Sequence, residues 1–391
     1  MTNDQDAAAV LKAVRDIVPR LRENGHKAED ARWIPDENVD LLDKAGVFQI
    51  ATPRRFGGLD LPLADQFEIL AEIARGCGST GWVSMAWVST AWLATQYPDK
   101  AQEEIFANPS VRVSGGFAPT GTVERTEGGY NLNGTWRFNS GCRGAHWDLL
   151  GVTLEEPDGE HRELYVIVPM SELSIADDWH VSAAAATGSS STTANDVFVP
   201  AHRVIDAGDA LFGLTGDRSN TGANGRNYGL IGFVMTESVA SYVGMARAAY
   251  ELFVSKVGGK PIAYTPWEDQ SEHPLTQLKV SLAANKIAAA ESLVARWITL
   301  LQQRADAGEQ PTAGEKATGR GQCGYAIQLA KEAVEELQSV SSGSAIMRNS
   351  PFQRFFRDIE GLALHGMMTP NSNLEVHGRV ELGLDPNTYL L

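Results

Sequence analysis

Cysteine is scarce in this chain. Cys77, Cys142 and Cys323 lie far apart and form no CxxC pair, which argues against a disulfide framework and a thiolate zinc site. Basic charge is short as well: 33 Lys and Arg face 49 Asp and Glu, a net charge of −16. Nucleic acid and anionic membranes are bound through Lys and Arg on phosphates, so neither is an expected partner. A soluble, self-repelling surface accounts for the balance. No apolar run approaches the ~20 residues of a membrane helix, and the opening MTNDQD has neither the basic nor the apolar region of a secretory signal. A reduced, cytoplasmic protein is expected. Signatures are missing too. There is no GxGxxG after a strand, no GxxxxGK[ST], no GxSxG, and no HxxxH or HExxH. A Rossmann or P-loop cradle, a hydrolase elbow and a histidine metal site are therefore poor fits. No metal is expected, and a cofactor must be held in some other way.

What is present is a region, Val111 to Arg203, unlike the rest. Short alternating segments such as ELYVIVPM (Glu163 to Met170), broken by Gly, Pro and Asp, read as antiparallel strands. On either side, apolar residues recur with helical spacing. The chain reads as a helical domain (1–112), a central β domain (113–226) and a C-terminal helical bundle (227–391).

In the first part, Val10, Leu11, Val14, Ile17, Val18 and Leu21 form one stripe of a helix capped by Thr2, Asn3 or Asp4 and ended by Asn24-Gly25. Pro35 opens a second helix and Gly46 closes it. After a loop (53–62), a third helix runs from Leu63 to about Arg75, and GCGST (Gly76 to Thr80) breaks the pattern, with Ser79 or Thr80 as the next cap. The helix from about Trp82 to Gln96 carries Trp82, Trp87 and Trp92 at intervals of five, interleaved with Ser84, Ser89, Thr90 and Thr95. Such a helix is either buried between layers or lines a pocket. Asp206 to Asn227, rich in Gly, Asn and Asp, reads as a loop leaving the β domain. Long helices are expected at about 230–257, 274–307 and 314–340, and a last one from Phe352 to Met368 that Pro370 ends.

Three features could carry chemistry. TGSSSTT (Thr187 to Thr193) offers hydroxyls and backbone N–H groups for a phosphate, a ribityl chain or a heterocycle edge, or is a surface turn. Trp136, Phe138 and Ser140 share a face if their strand continues, either to stack on a ring system or to form the core face of a sandwich. His365, on the last helix, gains from the helix dipole, or serves as general base or acid in an apolar pocket. Arg357 and Asp358 just before it read as a structural pair.

Taken in order, FGG (56–58), FAPTG (117–121), GTWRFNSG (134–141), DDWHV…ATGSSSTTANDVFVPAHRV (177–204) and RFFRDIEGLALHG (354–366) resemble the acyl-CoA dehydrogenase superfold over nearly the whole chain. The resemblance implies a mainly α fold with a central β-barrel or sandwich domain between an N-terminal helical domain and a C-terminal four-helix bundle. HGM (His365 to Met367) stands where dehydrogenases carry an EGT-like segment, and FAPTG replaces their flavin-binding TEP segment. SGCRGAHW (Ser140 to Trp147) followed by TGSS is closer to the flavin-dependent monooxygenases of this fold. These are oxygenase components that receive reduced FMN or FAD from a separate NAD(P)H:flavin reductase. They form a C4a-hydroperoxyflavin with O2 and hydroxylate a small aromatic substrate.

Carried over, Ser140 contacts the flavin N5 region, with Trp82, Phe117, Trp136 and Phe138 around the isoalloxazine. Thr187, Gly188 and Ser189 lie near the ribityl or phosphate end, and Ser342 and Gly343 in SSGSAIM reach a neighbouring subunit's flavin phosphates, as in a homotetramer built as a dimer of dimers. His365 binds or deprotonates substrate. Thr90 stands where some phenol hydroxylases of the group carry a second histidine, so a bulky phenolic, polycyclic or indolic substrate edged by Trp82, Trp87, Thr90 and Trp92 is expected. Two other enzymes share the fold: an acyl-CoA dehydrogenase or oxidase, for which Glu360 and Glu251 are the available bases, and an N-oxygenase of an amino sugar. A binding protein on a borrowed fold is the non-catalytic alternative.

Overall fold

The computed structural model describes residues 3–219 and 226–391. Five helices come first: α1 (Asn3–Ala31), α2 (Asp36–Lys44), α3 (Leu63–Gly76), α4 (Gly78–Ala94) and α5 (Asp99–Ile105). Seven strands follow: β1 (Val113–Thr126), β2 (Gly129–Trp136), β3 (Trp147–Glu155), β4 (His161–Pro169), β5 (Ser174–Ile175), β6 (Thr192–Pro200) and β7 (Val204–Asp206). Then come α6 (Ala207–Phe212), α7 (Leu230–Val257), α8 (Pro274–Asp306), α9 (Ala313–Ser339), α10 (Pro351–Leu362) and α11 (Pro370–Glu381). The strands form one sheet in the order β5-β6-β2-β1-β3-β4-β7. Its pairs are antiparallel as expected except β1–β3, which runs parallel.

Helix α4 is the centre of the molecule. Every residue on it is buried except Ala86, because α3, α7 and β1 all pack on it. Glycine permits this closeness. A Cβ on Gly81 would stand 2.5 Å from the Ala74 Cβ on α3, and one on Gly244 of α7 would stand 2.1 Å from the Ala71 carbonyl oxygen. Gly76, Gly78 and Gly81 spell GxGxxG, but the run joins two helices and its glycines serve packing. In the β region, Val123, Leu132, Trp136, Leu150, Val152, Leu164, Val166 and Val199 form a second, separate core.

Several local expectations differ from the structure. Helix α1 does not stop at Asn24-Gly25 but continues to Ala31. Tertiary contacts explain this: the Asn24 amide donates to Asn38 Oδ1 (2.8 Å), and the bare Gly25 makes room for Arg354, whose guanidinium a Cβ would meet at 2.6 Å. The suggested cap Thr2 lies outside the described residues, as does the Asn3 side chain. Helix α4 starts at Gly78, so Ser79 and Thr80 are inside it, and the break is the extended Cys77 alone. The expected loop 206–227 contains α6, capped by the Asp206 side chain accepting from Asp209 N–H, while 220–225 lie outside the described residues. The last helix ends at Leu362, and Pro370 opens α11 as a first-turn proline rather than ending anything. His365 therefore sits in the turn between α10 and α11.

Candidate active site

The N-terminal end of α4, the loops after β2 and before β6, and the α10–α11 turn meet in one place. The Trp82 indole N–H donates to Ser140 Oγ at 3.0 Å. Ser140 Oγ is 2.8 Å from Ser189 Oγ, which is 2.7 Å from Thr187 Oγ1, and Thr187 donates to the Ala184 carbonyl at 2.8 Å. Three hydroxyls and an indole N–H thus form one continuous chain, with Ser140 only partly covered. The other side of Trp82 faces the His365 ring at 5.5 Å and 62° and the Tyr242 ring at 6.1 Å and 89°, both edge contacts of the favoured kind. Tyr242 in turn donates to the Leu362 carbonyl at 2.7 Å, which ties the end of α10 to α7.

Backbone geometry leaves neighbouring segments of the chain at the surface. Residues 117–120 drop out of the β1–β3 register, so that Gly116 pairs with Leu150 and Gly121 with Val152, and Ala118, Pro119 and Thr120 are exposed. Phe138 has φ +63°, which turns its side chain out of the sheet; it is 71% exposed and meets Trp179 edge-on at 6.1 Å. Two aromatic side chains held beside a hydroxyl chain fit a flat heterocycle with polar edges.

Two buried carboxylates hold the loops that carry the hydroxyls. Asp148 accepts from Asn139 (2.7 Å), Ser114 (2.9 Å) and Thr192 (3.1 Å), which pins the residue before Ser140 and the first residue of β6. Asp358 accepts the Ala184 N–H at 2.6 Å and the Ser79 hydroxyl at 3.3 Å. Burial pushes both up to about 6 despite these donors. His365 has open surface, yet protein surrounds it closely enough that desolvation holds its pKa below the ordinary value. Desolvation therefore favours the neutral imidazole. The Met367 N–H approaches Nδ1 at 3.4 Å, and Nε2 has no protein partner among the described residues.

The acyl-CoA dehydrogenase N-terminal domain model matches residues 4–112, and the C-terminal domain model matches 237–370. The flavin-dependent monooxygenase oxygenase subunit HsaA of Mycobacterium tuberculosis is 31% identical over 99% of this chain and 98% of its own. The oxygenase component of an FADH(2)-dependent resorcinol hydroxylase from Rhizobium is 31% identical over 95% and 94%. This chain belongs to the flavin-dependent monooxygenase oxygenase components. Among solved structures, XiaF from Streptomyces, in complex with FADH2 and glycerol, matches with a TM-score of 0.93 at 28% identity, covering 100% of this chain and 98% of that one. The fold is that of the acyl-CoA dehydrogenases, and the cofactor of the family is reduced flavin with O2.

The oxygenase does not bring every sequence-selected residue to this group. Trp136 and Phe138 share no face, because β2 ends at Trp136. Trp136 is 1% exposed in the β core and gives its N–H to the Gly151 carbonyl at 2.7 Å, the sandwich-core alternative. Phe117 is half-buried with its ring edge-on to Tyr165 at 6.0 Å, and the segment after it is exposed. Gly188 is a left-handed residue under Trp33, where a Cβ would stand 2.7 Å from the ring. The three tryptophans do not edge one pocket. Trp87 donates to the Gly141 carbonyl at 3.1 Å and packs on Trp33 and Phe48, while Trp92 stacks on Phe233 at 4.1 Å. Thr90 is buried beside Ser89. Ser342 and its neighbours Ser341 and Ser344 line a separate cleft of about 350 Å³ with Lys256, Lys260 and Gln270. Gly343 opens the short turn Gly343–Ile346 there.

Arg357 and Asp358 are no pair: Arg357 bonds Glu29 and the Ser182 carbonyl, while Asp358 turns inward. Glu360 and Glu251, the bases a dehydrogenase would need, are engaged by Lys331 (3.1 Å) and Arg75 (2.7 Å). Sequence reasoning missed Asp148 and Glu237. Glu237 is fully buried on α7, accepts from Ser89, has an Oε1 without a partner, and is pushed up to about 8 by burial. The signal was available, since Glu237 is the only charged residue between Leu230 and Met245.

Proposed function

We propose that this oxygenase hydroxylates a bulky aromatic substrate, phenolic, polycyclic or indolic, at the cleft between Trp82, Ser140 and His365. The observation that carries the reading is the two-sided role of Trp82: its N–H joins the hydroxyl chain of Ser140, Ser189 and Thr187, and its ring meets His365 at 5.5 Å. The hydroxyl chain, Phe138 and the exposed 118–120 backbone suit the flavin, and His365 suits the substrate. Reduced flavin, when bound, supplies the activated oxygen. The chain supplies the rest. Ser140 and Ser189 hold a polar ring edge by hydrogen bonds. Aromatic walls at Trp82 and Tyr242 keep water from the reacting centre. Neutral His365 anchors or deprotonates the substrate hydroxyl or ring N–H, which makes the ring more nucleophilic.

The same reading includes a separate NAD(P)H:flavin reductase, a cytoplasmic homotetramer, and flavin phosphates held by the lysine- and serine-lined cleft around Ser342 and Gly343 of a neighbouring subunit. Product analysis on a panel of resorcinol, 2-naphthol and indole, with reduced FAD or FMN, tests it. Oxygenation of 2-naphthol or indole is expected. Turnover of resorcinol alone would overturn the bulky-substrate assignment.

A further inference from the structure

Asp358 contacts neither the hydroxyl chain nor the Trp82 ring, yet its carboxylate closes a circuit through both. Oδ1 accepts the Ala184 N–H at 2.6 Å. The Ala184 carbonyl accepts from Thr187 at 2.8 Å, and the chain continues through Ser189 and Ser140 to the Trp82 indole. Three residues back along α4, Ser79 returns to Asp358 Oδ2 at 3.3 Å. The circuit joins the loop before β6, the loop after β2, α4 and α10. His365 follows Asp358 by seven residues, past the end of α10. The carboxylate is 3% exposed, so its bonds are not competed away by solvent. Helix α10 can come this close because Gly361 lacks a Cβ, which would stand 2.6 Å from that of Ala183. Ala184 itself takes φ +52°, a left-handed conformation that costs a non-glycine residue energy and is held by bonds on both its N–H and its carbonyl.

We propose that Asp358 is a positioning residue that fixes the distance between His365 and the flavin-edge hydroxyls of Ser140 and Ser189. The inference rests on the function proposed above. Without its carboxylate, the 184–189 loop and the start of α4 lose their common anchor. The hydroxyls then no longer meet the ring edge while His365 meets the substrate. An amide can replace the acid: its oxygen accepts the Ala184 N–H and its NH2 donates to Ser79, whose hydroxyl also accepts.

The test uses the full-length protein and three variants, Asp358→Ala, Asp358→Asn and Ser79→Ala. Two readouts need no substrate: the Kd for FAD from tryptophan-fluorescence titration, and the rate of peroxide release after reduced FAD-loaded protein meets O2. Thermal unfolding confirms that each variant is folded. Asp358→Ala is expected to weaken FAD and to speed peroxide release about tenfold each, with Asp358→Asn within about threefold of wild type. Ser79→Ala breaks one arm only and should give an intermediate peroxide rate, which keeps the test open if Asp358→Ala does not fold. Wild-type Kd and peroxide rates in folded Asp358→Ala, or in Ser79→Ala where Asp358→Ala is unfolded, would overturn the proposal. So would an Asp358→Asn variant as impaired as Asp358→Ala. Failure of the function itself looks different: wild-type protein would then bind no FAD or release peroxide as fast as free reduced flavin.

Discussion

The two ends of α4 carry the same residue type to opposite purposes. At the first end, the buried Trp82 spends its N–H on Ser140, which is partly exposed, and its ring on His365 and Tyr242. At the far end, ten residues and about 15 Å of helix rise away, Trp92 stacks on Phe233, itself stacked on Tyr228 at 5.9 Å, inside the main core. Trp87 between them braces the Gly141 carbonyl, in the loop that holds Ser140. The difference lies in what each ring meets. Both rings belong to the main core, and what separates them is the polar partners: a hydroxyl and an imidazole reach Trp82, whereas Trp92 is stacked on an aromatic face.

The largest contrast should come from removing what Trp82 faces. His365→Ala is expected to lower product formation by about 10²- to 10⁴-fold, the range for a positioned acid or base, with the Kd for flavin unchanged. Rapid-quench product assays alongside flavin titration would check this, and equal losses in both would erase the division of labour between His365 and the hydroxyl chain. At the other end, Trp92→Ala should cost about 3–5 kcal/mol of stability through a buried cavity, measured by denaturant unfolding, while hydroxylation per folded molecule stays as it was.

Glu237 lies between the ends and predicts a pH dependence. Its folded-state pKa, about 8, is raised from 4.5, so the folded protein holds a proton that the unfolded chain gives up. The stability that proton contributes is complete below pH 4.5 and is lost as pH rises through about 8. From pH 6 to 9 the loss should reach roughly 3 kcal/mol at 1.36 kcal/mol per unit. Glu237→Gln should flatten this part of the profile, and an unchanged slope in the variant would remove Glu237 as its source. The smallest effect is expected of Trp82→Phe. It keeps a ring against His365 and deletes one hydrogen bond, worth about 1 kcal/mol, so reduced flavin should bind roughly fivefold more weakly with stability little changed.

Much of the fold was legible because helix signals agreed with tertiary needs. Helices α7, α8 and α9 begin and end within a residue or so of the positions marked by their Gly and Pro punctuation and apolar repeats. Helix α1 escaped the same reasoning because its stop signal, Asn24-Gly25, is rewarded by partners on α2 and α10 that local sequence does not contain. In the site, Trp82, Ser140, Thr187, Ser189 and His365 were picked from segment resemblance, and the structure brings them together. Trp136 was picked from the same resemblance and Trp92 from its spacing on the Trp- and hydroxyl-rich helix, and three-dimensional neighbours put both in cores. Asp148 and Asp358 were invisible as a pair because their link is a set of backbone and hydroxyl donors spread from Ser79 to Thr192.

The most direct measurement is to mix the protein, loaded anaerobically with reduced flavin, with oxygenated buffer and follow absorbance in a stopped-flow instrument. A flavin–oxygen adduct that persists, and that decays faster to oxygenated product when 2-naphthol or indole is present, is the result expected of a water-shielded cleft between Trp82, Ser140 and His365. Immediate return of oxidised flavin with stoichiometric peroxide, the same with or without those aromatics, would contradict it.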